Sequence, residues 1–329
     1  MDIVRRGVYM PVTDVDGKIL LTPEQFDMLR ERFASGIDGS EYRLRSPEHS
    51  MPEAHAERMR ALTAEKGRER ETVQKLSQEI RVKVQDTLHG LGVELMDEYE
   101  DILTHAELLD TGSTGRGTNV PDNYDFDFVL KLNPKDLPRA FEINTALVKA
   151  LGGTMHEAHR PDKLRVLSAE VGGKKADVDI AFVSKAERVV YESHDAVRDR
   201  FDAIASQHGE EARDRVLANV ALTKQVLKEG KAYKKGTAQE GGLGGIGVEN
   251  WILASGGDMI VAFEEFQRAA HTPSGGEVPF AQFKQVHKLR DAGLNAKTGG
   301  HDNFTDFLTE DGYRKMLAAV EGYLRAIQE

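Results

Sequence analysis

The fold prediction rests on the stretch Thr111-Gly-Ser-Thr-Gly-Arg-Gly-Thr-Asn-Val-Pro-Asp-Asn-Tyr-Asp-Phe-Asp-Phe-Val-Leu130. A strand candidate at residues 106–111 ends at a Gly-Ser pair, and a turn rich in glycine and threonine follows. The segment 124–132 then alternates and is rich in aromatic and branched residues, which predicts a second strand. The stretch therefore predicts two strands joined through a glycine-rich turn.

Two pairs of aspartates accompany the predicted strands. Asp125 and Asp127 are separated by one residue, and residues i and i+2 of a strand point to the same face. Neighbouring carboxylates repel each other unless a cation lies between them, and Mg²⁺ prefers oxygen ligands. Asp177 and Asp179 form a second pair on a later predicted strand, residues 176–183. Three convergent acids could hold two Mg²⁺ ions about 3.5–4 Å apart, a spacing used for displacement at phosphorus.

The Gly-Ser pair supplies groups that bind anions. Gly112 lets the backbone approach a phosphate closely, and N–H groups at a turn or a helix start bind oxyanions. Ser113 adds a hydroxyl donor, and Arg116 adds a planar, permanently charged guanidinium. Each motif alone is common, but their succession on consecutive elements indicates a functional site for phosphoryl transfer.

This pattern resembles the nucleotidyltransferase superfamily with the DNA polymerase β-like catalytic fold. Residues 112–119 and the Asp-x-Asp strand look like those of the archaeal-type (class I) CCA-adding tRNA nucleotidyltransferases, with kinship to oligoadenylate synthases and cyclic GMP-AMP synthase-like enzymes. Residues 222–230 resemble the helix that this family places beneath the triphosphate. Residues 242–252 resemble its glycine-rich turn and following helix, with Glu249 as the buried glutamate. The resemblance implies an α+β fold, in which a polymerase β-like mixed-sheet catalytic domain is followed by a helical domain.

The resemblance also implies roles for individual residues. Asp125 and Asp127 would ligate both metal ions, and Asp179 would be the third catalytic, metal-binding acid, with Asp177 as the alternative. The implied cofactor is Mg²⁺, as two ions, with Mn²⁺ as an alternative. A further set of residues would bind the nucleotide: Gly112, Ser113, Arg116, Lys224 and Tyr233, with Lys228 as a substitute for Lys224.

The implied activity is Mg²⁺-dependent transfer of a nucleoside monophosphate from a nucleoside triphosphate (ATP, with CTP or GTP as further candidates) to a ribose hydroxyl. Two acceptors stay open. The CCA-adding resemblance favours the 3′ end of an RNA, extended without a template. The net charge of −11 and the lack of a tRNA-measuring C-terminal body favour a second nucleotide, as in synthases of linear or cyclic oligonucleotide second messengers. A non-enzymatic nucleotide-binding module is disfavoured because all three acids are present.

Composition excludes several other classes of protein. The 329 residues include no cysteine, which excludes disulfides, cysteine-based zinc sites and thiol nucleophiles. No apolar run approaches about 18 residues and no signal peptide is evident, so we expect a cytoplasmic protein with no membrane partner. With 55 acidic against 44 basic residues, tight non-specific binding of polyanions is not expected.

Three domains are predicted: an N-terminal hairpin and helical appendage (1–95), the nucleotidyltransferase catalytic domain (96–190) and a helical C-terminal domain (191–329). Residues 8–21 predict a β-hairpin, and a helix start follows at Thr22. A charged, helix-prone segment extends from about Pro52 to Leu88, and its residues 57–71 are predicted to be mostly a solvated, charged face. Its later part repeats apolar residues every three or four positions, which predicts one buried face: Val73, Leu76, Ile80, Val84 and Leu88.

Overall fold

The computed structural model describes nine segments of the chain, namely 52–93, 107–120, 124–132, 135–156, 163–184, 192–233, 242–272, 274–283 and 308–328. The hairpin and the helix start predicted before residue 50 lie outside these segments. The chain divides into two compact units. We call Ala56–Leu222 the sheet unit, and Met1–His55 with Thr223–Glu329 the helical unit. The predicted domain boundaries near residues 95 and 190 stay a prediction.

The sheet unit contains a five-stranded mixed sheet made of β1 (Glu107–Thr111), β2 (Asp125–Leu132), β3 (Thr154–His156), β4 (Lys163–Val171) and β5 (Lys174–Ser184). Their order across the sheet is β1-β2-β5-β4-β3. Strands β2 and β5 are parallel, and the other neighbours are antiparallel. The strands predicted at 106–111, 124–132 and 176–183 correspond to β1, β2 and β5. Strand β3 has only three residues and lacks a pattern that would reveal it.

A long helix, α1 (Glu53–Gly90), precedes the sheet in the chain. The apolar stripe predicted for its later part is confirmed, because Val73 is partly buried and the other four stripe residues are fully buried. Burying a leucine, isoleucine or valine side chain stabilises a fold by about 1.5–3 kcal/mol. The stripe shares one core with side chains from the two central strands, namely Phe126, Phe128, Val178 and Ile180.

The earlier part of α1 differs from its predicted solvated face. Met59 and Leu62 are buried, and Lys66 and Glu69 are only 3% and 8% exposed. Lys66 and Glu69 pair with each other across one helical turn, and both contact Asn119 of the sheet unit. The prediction for residues 57–71 is therefore wrong at these positions, because charged side chains with partners are buried there.

The core that α1 shares with the strands packs on one face of the sheet. A 3₁₀ turn at Leu137–Arg139 leads into helix α3 (Ala140–Leu151), whose apolar side chains join the same core. Phe126 and Phe128 point into this core from β2. Successive residues of a strand point to opposite faces, so the intervening aspartates of β2 lie on the other face. The fold thus presents the acidic positions on the face of the sheet away from the core.

Helices form most of the remaining described chain, as predicted. In the helical unit Trp251 stacks on Phe263 with ring centroids 5.5 Å apart, so the tryptophan belongs to the core. No helix among the described residues is long and apolar enough to cross a membrane. The mixed sheet with its many helices confirms the α+β prediction. The helices that follow the sheet in the described chain are α4 (Glu192–His208), α5 (Glu210–Glu229), α6 (Gly245–Ala254), α7 (Met259–Ala270) and α8 (Glu310–Ala326).

Candidate active site

Four aspartates occupy neighbouring positions on the two central parallel strands. The register pairs Asp125 with Asp177 and Asp127 with Asp179. Paired residues of adjacent parallel strands point to the same side, and the strands lie about 4.8 Å apart. All four positions therefore share the face opposite the core. The structure brings the predicted acids Asp125, Asp127 and Asp179 onto one face of adjacent strands.

The two aspartates on β5 differ in their contacts. Oδ1 of Asp177 accepts a hydrogen bond of 3.0 Å from the backbone N–H of Ser168. Ser168 has a φ of +53° and lies at a register shift in β4, so this irregularity aims its N–H at Asp177. Asp179 is 7% exposed and lies directly opposite Asp127. These contacts favour Asp179 over Asp177 as the third acid.

The Gly-Ser pair begins where β1 meets the acidic positions of β2. Thr111, the last residue of β1, pairs with Asp127 in the antiparallel register. Gly112 follows with a φ of +68°, a conformation that favours glycine. An ideal Cβ at residue 112 would lie 1.9 Å from Oδ2 of Asp127. Only glycine at residue 112 therefore leaves room for the carboxylate of Asp127.

The residues after Gly112 form a compact turn that is tied to β2. They begin with a single helical turn, α2 (Gly112–Gly115). The N–H of Thr118 then donates to the carbonyl oxygen of Ser113 at 2.8 Å. The hydroxyl of Thr114 donates to the carbonyl oxygen of Asp125 at 2.5 Å. Ser113 is thus held in a folded turn, and the next residue, Thr114, ties this turn to Asp125, the first residue of β2.

Two polar side chains of this turn are buried, whereas a loop that binds an anion from solvent would expose them. Arg116 and Asn119 are both buried. Asn119, the last residue of the 112–119 motif, contacts Lys66 and Glu69 of α1, and no sequence pattern pointed to these two residues. The assignment of Arg116 to the triphosphate stays a prediction.

The two nucleotide-binding residues predicted after residue 220 lie in the helical unit, where a buried ion pair joins one of them to Glu249. Nζ of Lys224 lies 2.9 Å from Oε1 of Glu249, and the side chains are 2% and 0% exposed. An ideal Cβ at Gly245 would lie 3.2 Å from Oη of Tyr233 and 3.8 Å from Nζ of Lys224. The first residue of α6 therefore lacks a side chain where the lysine, the tyrosine and the glutamate converge. Nζ of Lys228 lies 5.3 Å from the centre of the Tyr233 ring.

The donor set on the sheet fits a hard divalent cation by its chemistry, since carboxylate oxygens are the ligands that Mg²⁺ prefers. Within the residues that the structure describes, no group of three or more histidine, aspartate or glutamate side chains is arranged so that it could hold a metal ion. The support for metal binding is therefore the register and shared face of the aspartates. The assignment of Asp125, Asp127 and Asp179 as ligands stays a prediction.

No protein-family model matches the chain, and no curated protein matches it. Solved structures do resemble it. A cytoplasmic RNA terminal U-transferase is 12% identical, with a TM-score of 0.54, over 84% of this chain and 95% of that chain. Cid1, an RNA terminal uridylyl transferase, is 13% identical, with a TM-score of 0.51, over 79% of this chain and 89% of that chain. The STING-associated CdnE c-di-GMP synthase from Capnocytophaga granulosa is 12% identical, with a TM-score of 0.44, over 93% of this chain and 94% of that chain.

The two structures with TM-scores above 0.5 define the class of fold. The chain has the fold of the polymerase β-like nucleotidyltransferases, with a small mixed sheet and many helices. The fold predicted from the sequence is confirmed. The narrower resemblance to CCA-adding enzymes stays a prediction.

Proposed function

We propose that this protein is a Mg²⁺-dependent nucleotidyltransferase that transfers a nucleoside monophosphate from a nucleoside triphosphate to the 3′-hydroxyl of an RNA. One observation carries the proposal. Asp127 lies opposite Asp179 on adjacent parallel strands, and Gly112 of the anion-binding turn packs directly against the carboxylate of Asp127. An acidic pair and a turn of this kind provide cation ligands beside backbone N–H groups, which is what phosphoryl transfer requires.

In the proposed reaction the acceptor oxygen forms a bond to the α-phosphorus, and the bond from that phosphorus to the β-phosphate oxygen breaks. Pyrophosphate leaves, and the proton of the hydroxyl passes to Asp179 or to solvent. Asp125 and Asp127 would hold the metal ions with Asp179 as the third ligand, and no covalent intermediate on the protein is needed. Bound ions would neutralise charge on the phosphate oxygens and lower the pKa of the attacking hydroxyl.

The remaining site residues position the nucleotide in this proposal. Ser113 offers its hydroxyl, and Gly112 brings the backbone close to the phosphates. Arg116 contributes a fixed positive charge. The roles of Lys224 and Tyr233 at the phosphates are carried over from the family resemblance alone.

An RNA acceptor is supported by the two most informative structural likenesses, since both proteins are RNA terminal uridylyl transferases. The resemblance of residues 112–119 to CCA-adding enzymes makes a tRNA 3′ end the specific RNA of this proposal. A second nucleotide is the alternative acceptor, giving linear or cyclic oligonucleotide second messengers. The net charge of −11 favours this alternative, because an acidic surface does not attract long polyanions.

The test is to incubate the purified full chain with each α-labelled nucleoside triphosphate and Mg²⁺, with and without total tRNA. Label on tRNA supports the first proposal, and small phosphatase-resistant oligonucleotides support the alternative. EDTA and the Asp127→Asn variant should remove either product. Nucleotide binding without any product, with all four triphosphates and with Mn²⁺ as well as Mg²⁺, would overturn the proposal of an enzyme.

A further inference from the structure

Helix α1 contacts the end of the glycine-rich turn through a cluster of three polar side chains. Nζ of Lys66 donates to the carbonyl oxygen of Asn119 at 2.5 Å and lies 3.2 Å from its Oδ1. It also donates to Oε2 of Glu69 at 3.0 Å. Nδ2 of Asn119 donates to Oε1 of Glu69 at 3.1 Å. We call this cluster the 66–69–119 clamp.

The clamp is well satisfied chemically. An ammonium group has three donors, and the structure gives Nζ of Lys66 three oxygen partners, two on Asn119 and one on Glu69. All three residues are at most 8% exposed. Buried polar groups whose hydrogen bonds are all made hold one geometry, since any displacement leaves a desolvated donor or acceptor without a partner. The clamp therefore fixes the backbone at residue 119.

A short path of contacts leads from the clamp to the anion-binding turn. Asn119 follows Thr118, whose N–H and hydroxyl both reach the carbonyl oxygen of Ser113, at 2.8 and 3.2 Å. Gly117 in turn donates its N–H to the carbonyl oxygen of Thr114 at 3.0 Å. A backbone fixed at residue 119 therefore also fixes the direction in which Ser113 faces the acidic strand.

A cavity of about 90 Å³ lies beside the clamp, between α1 and the turn. Its lining includes all three clamp residues and the backbone of Gly115 and Gly117. The cavity is a gap in the packing between the turn, α1 and the neighbouring part of α5, whose Leu217 also lines it. Beside this gap, the polar contacts at Asn119 join α1 directly to the turn.

We propose that Lys66 and Glu69 are positioning residues for nucleotidyl transfer. They act through Asn119 and keep Ser113 in a fixed orientation towards Asp125 and Asp127 of β2. This inference rests on the proposed function, because it assigns Ser113 to the triphosphate. It adds a role for the charged part of α1, which the catalytic motif does not include. The lysine and the glutamate touch neither substrate nor metal in this role.

Kinetics of the full chain test the proposal. Lys66→Met should lower kcat by about 10- to 100-fold, because a small misplacement of a reacting group is that costly, while KM for the nucleotide changes far less. Arg70→Met is the matched control. Arg70 lies on the same helix and pairs with Asp214 and Glu210 rather than with the turn, so its loss perturbs α1 without moving residue 119. Equal values of kcat for the two variants would overturn the proposal.

Two further measurements keep the test independent of a folding defect and of the proposed function. Asn119→Ala removes the side-chain contacts of residue 119 with Lys66 and Glu69, but it keeps the ion pair between those two residues and the hydrogen bond from Lys66 to the carbonyl oxygen of residue 119. It should therefore lower kcat in a well-folded protein, by less than Lys66→Met does. Hydrogen exchange at the amides of Gly117 and Thr118 should be faster in Lys66→Met and in Asn119→Ala than in the wild-type protein. In Arg70→Met the exchange rates of these amides should be unchanged. Faster exchange in a chain that shows no transfer with any nucleotide supports the clamp and removes the proposed function. Unchanged exchange at these amides removes the clamp.

Discussion

The carboxylate of Asp127 packs against Gly112 so closely that residue 112 has no room for a side chain. A Cβ atom added to residue 112 would lie 1.9 Å from Oδ2 of Asp127. We expect Gly112→Ala to abolish transfer, because the carboxylate must swing away and a non-glycine residue is strained at a φ of +68°. The loss should appear as a fall of at least about 100-fold in kcat/KM in a steady-state assay with labelled nucleotide.

Gly173→Ala is a matched control for this variant. Gly173 has a φ of +75°, and an added Cβ there would meet nothing within 4 Å. It therefore carries the backbone strain, about 1 kcal/mol, without the collision. Similar activity in the two alanine variants would show that the contact between Gly112 and Asp127 does not matter for the reaction.

The acids should respond unequally to removal of their charge. Asp127→Asn and Asp179→Asn should each lower kcat by at least about 1,000-fold, because a neutral amide is a poor metal ligand and these positions face each other across β2 and β5. Asp177→Asn should stay within about tenfold of the wild-type protein, since its amide oxygen can still accept from Ser168. Circular dichroism should show all three variants folded.

The opposite ranking would change the assignment. If Asp177→Asn is inactive and Asp179→Asn is active, the third acid is Asp177. If Mg²⁺ titration gives the same half-saturation for Asp127→Asn as for the wild-type protein, the carboxylate of Asp127 does not bind the metal.

Local pattern was sufficient to predict that the aspartates share a face. The side-chain alternation of a strand is a property of consecutive residues, so the spacing of Asp125 and Asp127 fixes their side of the sheet wherever β2 lies. Which acid stands opposite Asp127 depends on pairing with a strand about fifty residues later, and nothing local encodes that register. Family resemblance pointed to Asp179, and the register supports it.

Burial of charged residues was not predictable in the same way. The sequence of α1 around Lys66 and Glu69 is dense in charge, which is typical of a solvated helix face. Their burial depends on Asn119, which lies 50 residues beyond Glu69 in the chain. A partner at that separation leaves no mark on the helical periodicity, so the clamp could be found only in the structure.

Removal of one partner from the buried ion pair of the helical unit should strongly destabilise the protein. We expect Lys224→Met to lower the free energy of unfolding by about 3–5 kcal/mol, because the fully buried Glu249 loses its opposite charge. The double variant Lys224→Met, Glu249→Leu should be more stable than the single one, since it removes both charges. Trp251 is the only tryptophan and lies buried in this unit, so its fluorescence during urea unfolding reports the change.

Lys228→Met provides the control for that measurement. Lys228 lies one helical turn further along α5 and is exposed, and its contact with the Tyr233 ring is the interaction at risk, so its loss should change stability by less than about 1 kcal/mol. Equal stability of the two methionine variants would mean that the ion pair between Lys224 and Glu249 does not contribute to stability.

The contribution of Lys66 to the free energy of unfolding should depend on pH in the alkaline range. Burial lowers the pKa of Lys66 from its usual 10.5, and Glu69 only partly offsets this. At pH values between the lowered pKa and 10.5, Lys66 holds fewer protons in the folded protein than in the unfolded chain. The contribution of Lys66 to the free energy of unfolding therefore rises with pH in this window, and it is constant at pH values below the window. The difference in stability between the wild-type protein and Lys66→Met should therefore grow as the pH is raised towards 10.5, in urea unfolding followed by circular dichroism. Lys75→Met, which removes an exposed lysine of the same helix, controls for the loss of one positive charge. A difference that stays flat or shrinks over this range would show that Lys66 is not held as a buried ammonium group.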